Sequence, residues 1–247
     1  MGGGIANVHS RYENGQLIFY EAGHRQRIVD AIGPNVIKYI NDFAGDQGAE
    51  NWIETAVSGG SGTSSIMSRA EEGGMIRLDL AGDDNDAYQI QKLAGFVATA
   101  NDPIYFGCRF EYSGAGATAI DVMIGLCSED TDLVGAVADG IYFCIRDGAA
   151  DLFLTTEDNG SATDLTLTAT SVVDTWNTCE FYFNGDSTTP AVYAWHNGDY
   201  IGRSTAGIEQ TNALAISIAV ANGAAAGESV TGLHVDYVRA FQLLATR

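Results

Sequence analysis

The chain has 247 residues, 46% of them hydrophobic, and sets 12 basic against 32 acidic side chains for a formal net charge of −20. So acidic a body repels phosphate backbones and anionic lipid, which sets aside nucleic acid and membrane surfaces as partners. No apolar run approaches the roughly 18 residues a membrane span needs, and the opening MGGGIANVHSRYENG has no basic region followed by an apolar stretch, so ordinary export is not expected.

Thirty Gly against three Pro, with β-branched and aromatic residues in short runs, predict an all-β chain of many strands and tight turns. The length suits one main sandwich behind a short N-terminal segment, with residues 1–45 as an arm and 46–247 as the body. Arg11, Arg25, Arg27 and Lys38 of the arm are matched by Glu13, Glu21, Asp30 and Asp42, so the acidic surplus lies in the body. Ala6 stands where a myristoylation signal needs Ser or Thr, which removes that reading of Met1-Gly2.

In chain order, Leu17–Tyr20 and Arg27–Val29 predict two short strands with Glu21–Gln26 as the turn; Val36–Phe43 suits a strand or a single helical turn equally. A two-stranded ribbon is marginal alone. The arm therefore needs shelter for Leu17, Ile18, Phe19, Ile28, Val36, Ile37, Tyr39 and Ile40, either on the body or on another subunit. Trp52–Val57 enters the body, and Thr63–Ala70 with Gly74–Leu80 flank the turn Glu71-Glu72-Gly73. Further strands are expected at Ala87–Lys92, Ile104–Tyr112, Ala119–Cys127, Gly140–Asp147, Asp151–Thr156, Asp164–Ala169, Asn177–Asn184, Ala191–His196, Tyr200–Thr205, Leu214–Asn222 and Leu233–Leu244. Turn pairs at Asn14-Gly15, Asp147-Gly148, Asn159-Gly160, Asn184-Gly185, Asn197-Gly198 and Asn222-Gly223 punctuate them. This rhythm fits an antiparallel two-sheet jelly roll and not a βαβ fold. Cys108, Cys127, Cys144 and Cys179 lack CxxC spacing and are expected to be buried and reduced.

From GIYFCIRD through DLTLTAT, TWNTCEFYFNG and VYAWHNGDYIGRS to LHVDYVRAFQL, roughly residues 100–244, the body resembles the concanavalin-like, laminin-G-like jelly roll of laminarinase-type glycosidases and lectins. Those glycosidases use Glu-x-Asp-x-x-Glu, one carboxylate attacking the sugar and the other donating a proton. The corresponding stretch here is Ala119-Ile120-Asp121-Val122-Met123-Ile124, with apolar residues at both glutamate positions, so a glycoside hydrolase is the least favoured function and no enzymatic activity is expected. His9, His24, His196 and His234 show no metal-ligand spacing, and no phosphate loop occurs. The resemblance implies no obligatory cofactor. It leaves open one calcium at Asp236 in the last strand, and the acidic loops Asp83-Asp84-Asn85-Asp86, Glu129-Asp130-Thr131-Asp132 and Glu157-Asp158-Asn159 are further candidates, against plain solvated turns. Trp195, Tyr193 and Tyr200, flanking Asn197-Gly198, are candidate glycan contacts by stacking, against filling the core or an interface.

The opening segment, Ser10-Arg11-Tyr12-Glu13-Asn14-Gly15-Gln16-Leu17-Ile18-Phe19-Tyr20 with Arg27-Ile28-Val29-Asp30 and Ile32-Gly33-Pro34-Asn35-Val36, resembles that of head decoration (cement) proteins of tailed phages. That resemblance implies a structural protein made in the host cytoplasm and carried on the outer head surface, bound to the major capsid protein and self-associated, as a trimer rather than a dimer. Arg11, Tyr12, Leu17, Phe19, Tyr20, Arg25, Arg27, Ile28 and Val36 are then the expected contacts to capsid or to a second copy. A lectin-like module for host adsorption is the alternative.

Overall fold

The computed structural model describes residues 8–43, 52–57, 63–69, 73–80, 86–114, 120–146, 149–223 and 230–246. Three antiparallel layers of strand account for nearly all of them. The first is a meander of β1 (Val8–Glu13), β2 (Gln16–Glu21) and β3 (His24–Ile32). The chain then supplies β4 (Val36–Asn41), β5 (Ile53–Val57), β6 (Thr63–Arg69), β7 (Gly73–Asp79), β8 (Ala87–Phe96), β9 (Ile104–Gly114) and β10 (Ile120–Cys127). After the four-residue helix α1 (Leu133–Ala136) come β11 (Gly140–Ile145), β12 (Leu152–Asp158), β13 (Ser161–Thr168), β14 (Asn177–Phe183), β15 (Val192–His196), β16 (Asp199–Ser204), β17 (Leu214–Asn222) and β18 (Val230–Leu243).

One sheet of the sandwich runs β13-β12-β11-β10-β17-β8-β5. The other runs β16-β15-β14-β9-β18-β7-β6, and β4 joins it beside the C-terminal half of β18, from Val238↔Asn41 to Leu243↔Val36. The two-sheet antiparallel sandwich expected from the sequence is therefore present. Val36–Asn41 is a strand, because β18 is long enough to offer β7 its first half and β4 its second.

Alternation along each strand sends one set of side chains between the sheets. Phe106 of β9 stacks on Phe181 of β14 with ring centroids 5.2 Å apart, and Phe143 of β11 meets both from the opposite sheet at 6.4 and 5.8 Å. Three Asn-Gly pairs close hairpins as predicted: Asn14-Gly15, Asn159-Gly160 and Asn197-Gly198 all have positive φ at both residues, the geometry that matches the twist of two-residue hairpins. The Asp147-Gly148 pair lies outside the described residues. All four cysteines are buried and free.

The arm does not reach away from the body. Ile18, Ile28 and Ala31 are fully buried against Tyr105, Phe241 and Leu243 on the outer face of the larger sheet, with Val36 and Tyr182 packed alongside. Gln16 Nε2 donates to the carbonyls of Leu244 at 2.7 Å and Asn35 at 3.0 Å. Of the two shelters open to the arm, these side chains take the body, and the expectation that Ile28 and Val36 meet capsid or a second copy is corrected: alternation showed which face must be buried, and the chain's own β9 and β18 supply the surface.

Candidate functional site

The two outer faces of the sandwich are covered differently. On the arm side, Glu180 of β14 is 1% exposed and accepts from Arg27 Nε at 2.8 Å, from Arg239 at 2.9 Å and from the Tyr105 hydroxyl; Arg27 also pairs with Glu21. Burial pushes the Tyr105 phenol well up, with the neighbouring Glu180 charge adding to the shift and Arg239 opposing it. Two guanidiniums thus converge on one carboxylate between arm and body.

On the other face the loop between β10 and β11 folds back over the smaller sheet. Two amides of β8 hold it: Gln89 donates to Asp130 O at 2.7 Å and accepts from Leu133 N at 2.8 Å, while Gln91 donates to Ser128 O at 3.1 Å and accepts from Asp130 N at 3.0 Å. Asp132 caps α1 by accepting from Gly135 N at 3.1 Å, and Leu133 and Val137 are buried on Met123, Cys127, Tyr142, Cys144 and Ala219. Much of β11, β10 and β17, neighbours in that order, is consequently buried on both sides.

The loop stops short of the β13 edge and leaves a cleft of about 270 Å³ over β10 to β13. Asp121 comes from β10, Tyr142, Cys144 and Arg146 from β11 and the residue that follows it, Glu157 from β12 and Asp164 from β13, with Val134 to Val137 as the far wall. Arg146 makes a two-pronged pair with Asp164, at 2.6 and 3.0 Å, and also meets Thr155 at 3.1 Å; its guanidinium lies 5.3 Å from the Phe153 ring centroid. Burial acts to raise the Asp164 carboxyl, but hydrogen bonds from Arg146 and Thr155 outweigh it and leave its pKa lowered. Tyr142 donates its hydroxyl to the buried Glu157. Its pKa is driven up by burial first and by that carboxylate second. Burial likewise takes the Cys144 thiol to about 11, which removes it as a nucleophile near neutrality. Opposite Tyr142 sits Gly125, where an added Cβ would lie 2.5 Å from Tyr142 Cα, so only glycine lets this strand pair close.

Of the charged cleft residues the sequence marked Asp121, by likeness to a motif, and Glu157, as part of an acidic loop. Glu157, Asp164, Tyr142 and Arg146 lie on three successive strand segments and come together only through sheet register. The candidate glycan contacts lie elsewhere, at the edge of the larger sheet: Trp195 is 2% exposed, with Tyr200, 52% exposed, packed against it at 5.6 Å and Tyr193 6.5 Å from Tyr200. Among the arm contacts, Arg27, Ile28 and Val36 are engaged with the body, and Arg11 pairs with Glu13. Tyr12, Leu17 and Phe19 lie on the face of the meander turned away from it, in register with Ile32 and Asp30. Tyr20 packs on His9 and Arg11, and Arg25 is exposed.

For a cation, Asp236 is held by Arg109 at 2.7 Å, and Asp83 and Asp84 lie outside the described residues while Asp86 is buried. Asp158, from the acidic loop Glu157-Asp158-Asn159, converges with two carboxylates the sequence did not mark: ligand atoms of Asp139, Asp158 and Glu209 lie within 4.8 Å of one another. Asp139 also accepts from Asn212 at 2.8 Å and Asn159 N at 2.9 Å, and hydrogen bonds from Thr211 and Asn212 lower the Glu209 pKa. This group has the oxygen chemistry a hard cation uses. No cofactor is demonstrated.

No family model matches the sequence, and no curated protein does. Solved structures do match in fold. A protein of unknown function from Shewanella oneidensis MR-1 is 17% identical over 86% of this chain and 89% of its own, with a TM-score of 0.59. The Emp47p carbohydrate recognition domain is 13% identical, covering 83% and 94%, at 0.55. The carbohydrate esterase vb_24B_21 of Shiga toxin-encoding bacteriophage phi24B is 18% identical, covering 83% and 100%, at 0.53. The Emp46p carbohydrate recognition domain, of the same fold, has metal-free and potassium-bound forms. The body is thus a concanavalin-like jelly roll, a fold shared by carbohydrate-binding and glycan-active proteins. The expectation that the chain is not an enzyme is overturned: the same fold serves that esterase, an endo-1,3-beta-glucanase from Streptomyces sioyaensis and an endo-beta-1,4-glucuronan lyase from Trichoderma reesei. The absent Glu-x-Asp-x-x-Glu pattern speaks only of carboxylates on one strand, whereas the cleft collects Asp121, Glu157 and Asp164 from three.

Proposed function

We propose that this chain is a saccharide-recognising module whose site is the cleft over β10 to β13. The observation that carries the reading is the cleft itself: a recess of about 270 Å³ lined by carboxylates, a guanidinium and a phenol, between the β13 edge and the loop that covers the rest of β10 and β11. Ligand sites take this form, a concavity with a few convergent polar groups. The fold shared with carbohydrate recognition domains supports it. A glycan array followed by calorimetry tests it. Binding is expected to be lost in Arg146→Ala, which removes the guanidinium between Asp164 and Phe153, and retained in Trp195→Ala. Loss in Trp195→Ala with retention in Arg146→Ala places the site at the Trp195, Tyr193, Tyr200 cluster instead.

A second reading concerns where the module is mounted. Half of the exposed large hydrophobics among the described residues lie on the small meander, Val8 at 50%, Tyr12 at 78%, Val29 at 37% and Ile32 at 53%. Its other face is already buried on the body, so this outward face is the surface left to dock. It suits attachment to the major capsid protein on the outer head surface of a virion, as a self-associated decoration protein with the trimer as the favoured form. Removing residues 1–43 would strip β4 from its sheet and uncover Tyr105 and Phe241, so the informative variant is Tyr12→Ser with Ile32→Ser. It is expected to fold, to lose binding to capsids and to sediment as a monomer; undiminished capsid binding sinks this reading.

A further inference from the structure

Resting on the saccharide reading of the cleft, we infer that the site discriminates by charge: it excludes uronic and sulfated saccharides and favours amine-bearing ones. Three carboxylates, Asp121, Glu157 and Asp164, line the cleft against the single guanidinium of Arg146. A site for an anionic sugar needs a cation with its donors free to fork onto the ligand. Here both terminal nitrogens of Arg146 are spent on Asp164 and Thr155, and its planar face lies toward Phe153. Thr155 reinforces the arrangement by donating to Asp164 at 2.7 Å. An incoming carboxylate would have to take Arg146 from Asp164 and would meet the acidic wall of Asp121, Glu157 and Asp164.

The carboxylates also have partners, Arg146 and Thr155 on Asp164 and Tyr142 on Glu157, but a carboxylate oxygen can accept a second hydrogen bond, so the lining suits a ligand that donates. Carboxylates accept hydrogen bonds from sugar hydroxyls and bind an ammonium with added charge assistance. The body surrounding the cleft holds nearly all of the −20 net charge, which lowers the local concentration of polyanions and raises that of cations before any contact forms. Local and long-range fields therefore favour the same ligand class.

Calorimetry on the full chain with three oligosaccharides of equal length tests this: a glucosamine oligomer, a neutral glucose oligomer and a galacturonate oligomer. The expected order is glucosamine first, glucose next and galacturonate undetectable, with the first separated from the second by about tenfold at low salt and less at high salt. Asp121→Asn is expected to shrink the glucosamine preference several-fold, and Glu157→Gln to do the same where thermal melting shows it folded. Asp174→Asn removes an equal charge at an exposed turn outside the cleft and is expected to leave the preference alone. Galacturonate binding as tightly as glucosamine overturns the inference while leaving the saccharide reading intact. An equal loss of preference in Asp174→Asn also overturns it, since the attraction is then that of the whole surface. Silence from all three probes removes the saccharide reading, and the selectivity with it.

Discussion

The sandwich has two outer faces, and each is roofed by a segment of its own chain in a different way. The arm is fastened through a dry apolar layer and a buried carboxylate shared by Arg27 and Arg239; the loop over the smaller sheet is fastened by neutral amides, Gln89 and Gln91, gripping its backbone. A carboxylate cut off from water needs its charged partners in place, whereas the amide-to-backbone bonds of the loop involve no charge and lose less when one is removed. Glu180 is covered on the arm side, and the loop side ends in a cleft.

The comparison breaks most visibly at Glu180. Glu180→Ala leaves two guanidiniums in a buried site without their common anion and is expected to cost about 3–5 kcal/mol, read as a fall in melting temperature together with faster proteolysis of residues 8–32. Ile28→Ala removes a fully buried side chain between arm and sheet and is expected to cost about 2–4 kcal/mol by denaturant unfolding. On the loop side, Gln91→Ala is expected to cost about 1–2 kcal/mol. Its signature is local: hydrogen exchange quickens over residues 128–137 while the arm stays protected. An effect of Gln91→Ala as large and as global as that of Glu180→Ala would show that the two roofs are not held differently.

The smallest expected effect is in the pH profile. Burial lowers the His196 pKa, so the folded ring stays neutral while the unfolded chain protonates near its ordinary value of about 6.5. Stability therefore declines as pH falls below about 6.5 and levels off below the folded-state value. Asp164 and Glu209 act lower, since their depressed folded pKa values stabilise the protein above about pH 4 and lose that contribution as pH falls through them. Melting temperatures between pH 7 and 5 should slope less in His196→Gln than in the parent chain.

Hairpins were readable because Asn-Gly at a two-residue turn encodes its backbone conformation locally. The sandwich was readable from the spacing of such turns and from alternation between them. What stayed hidden is set by register across distant strands. Glu180 and Arg239 lie in expected strands far apart in sequence, and nothing near either residue announces that Arg27 will close over them. Val8–Glu13 was passed over as a strand because its side chains are almost all exposed, so it lacks the apolar alternation that marks its neighbours. Asp121 is marked by likeness to a motif and Glu157 by an acidic loop, while Asp164 has neither signal, and the three meet only where β10 to β13 lie side by side. The helix after Asp132 is too short for any periodic signal.

The pairing of β4 with β18 joins residues 36–41 to 238–243, and Gln16 reaches the carbonyl of Leu244. Since translation begins at the amino terminus, Ile18 and Ile28 lack the Phe241 and Leu243 part of their dock until β18 has left the ribosome. A nascent chain stalled before Val238 would keep that greasy surface open to chaperones.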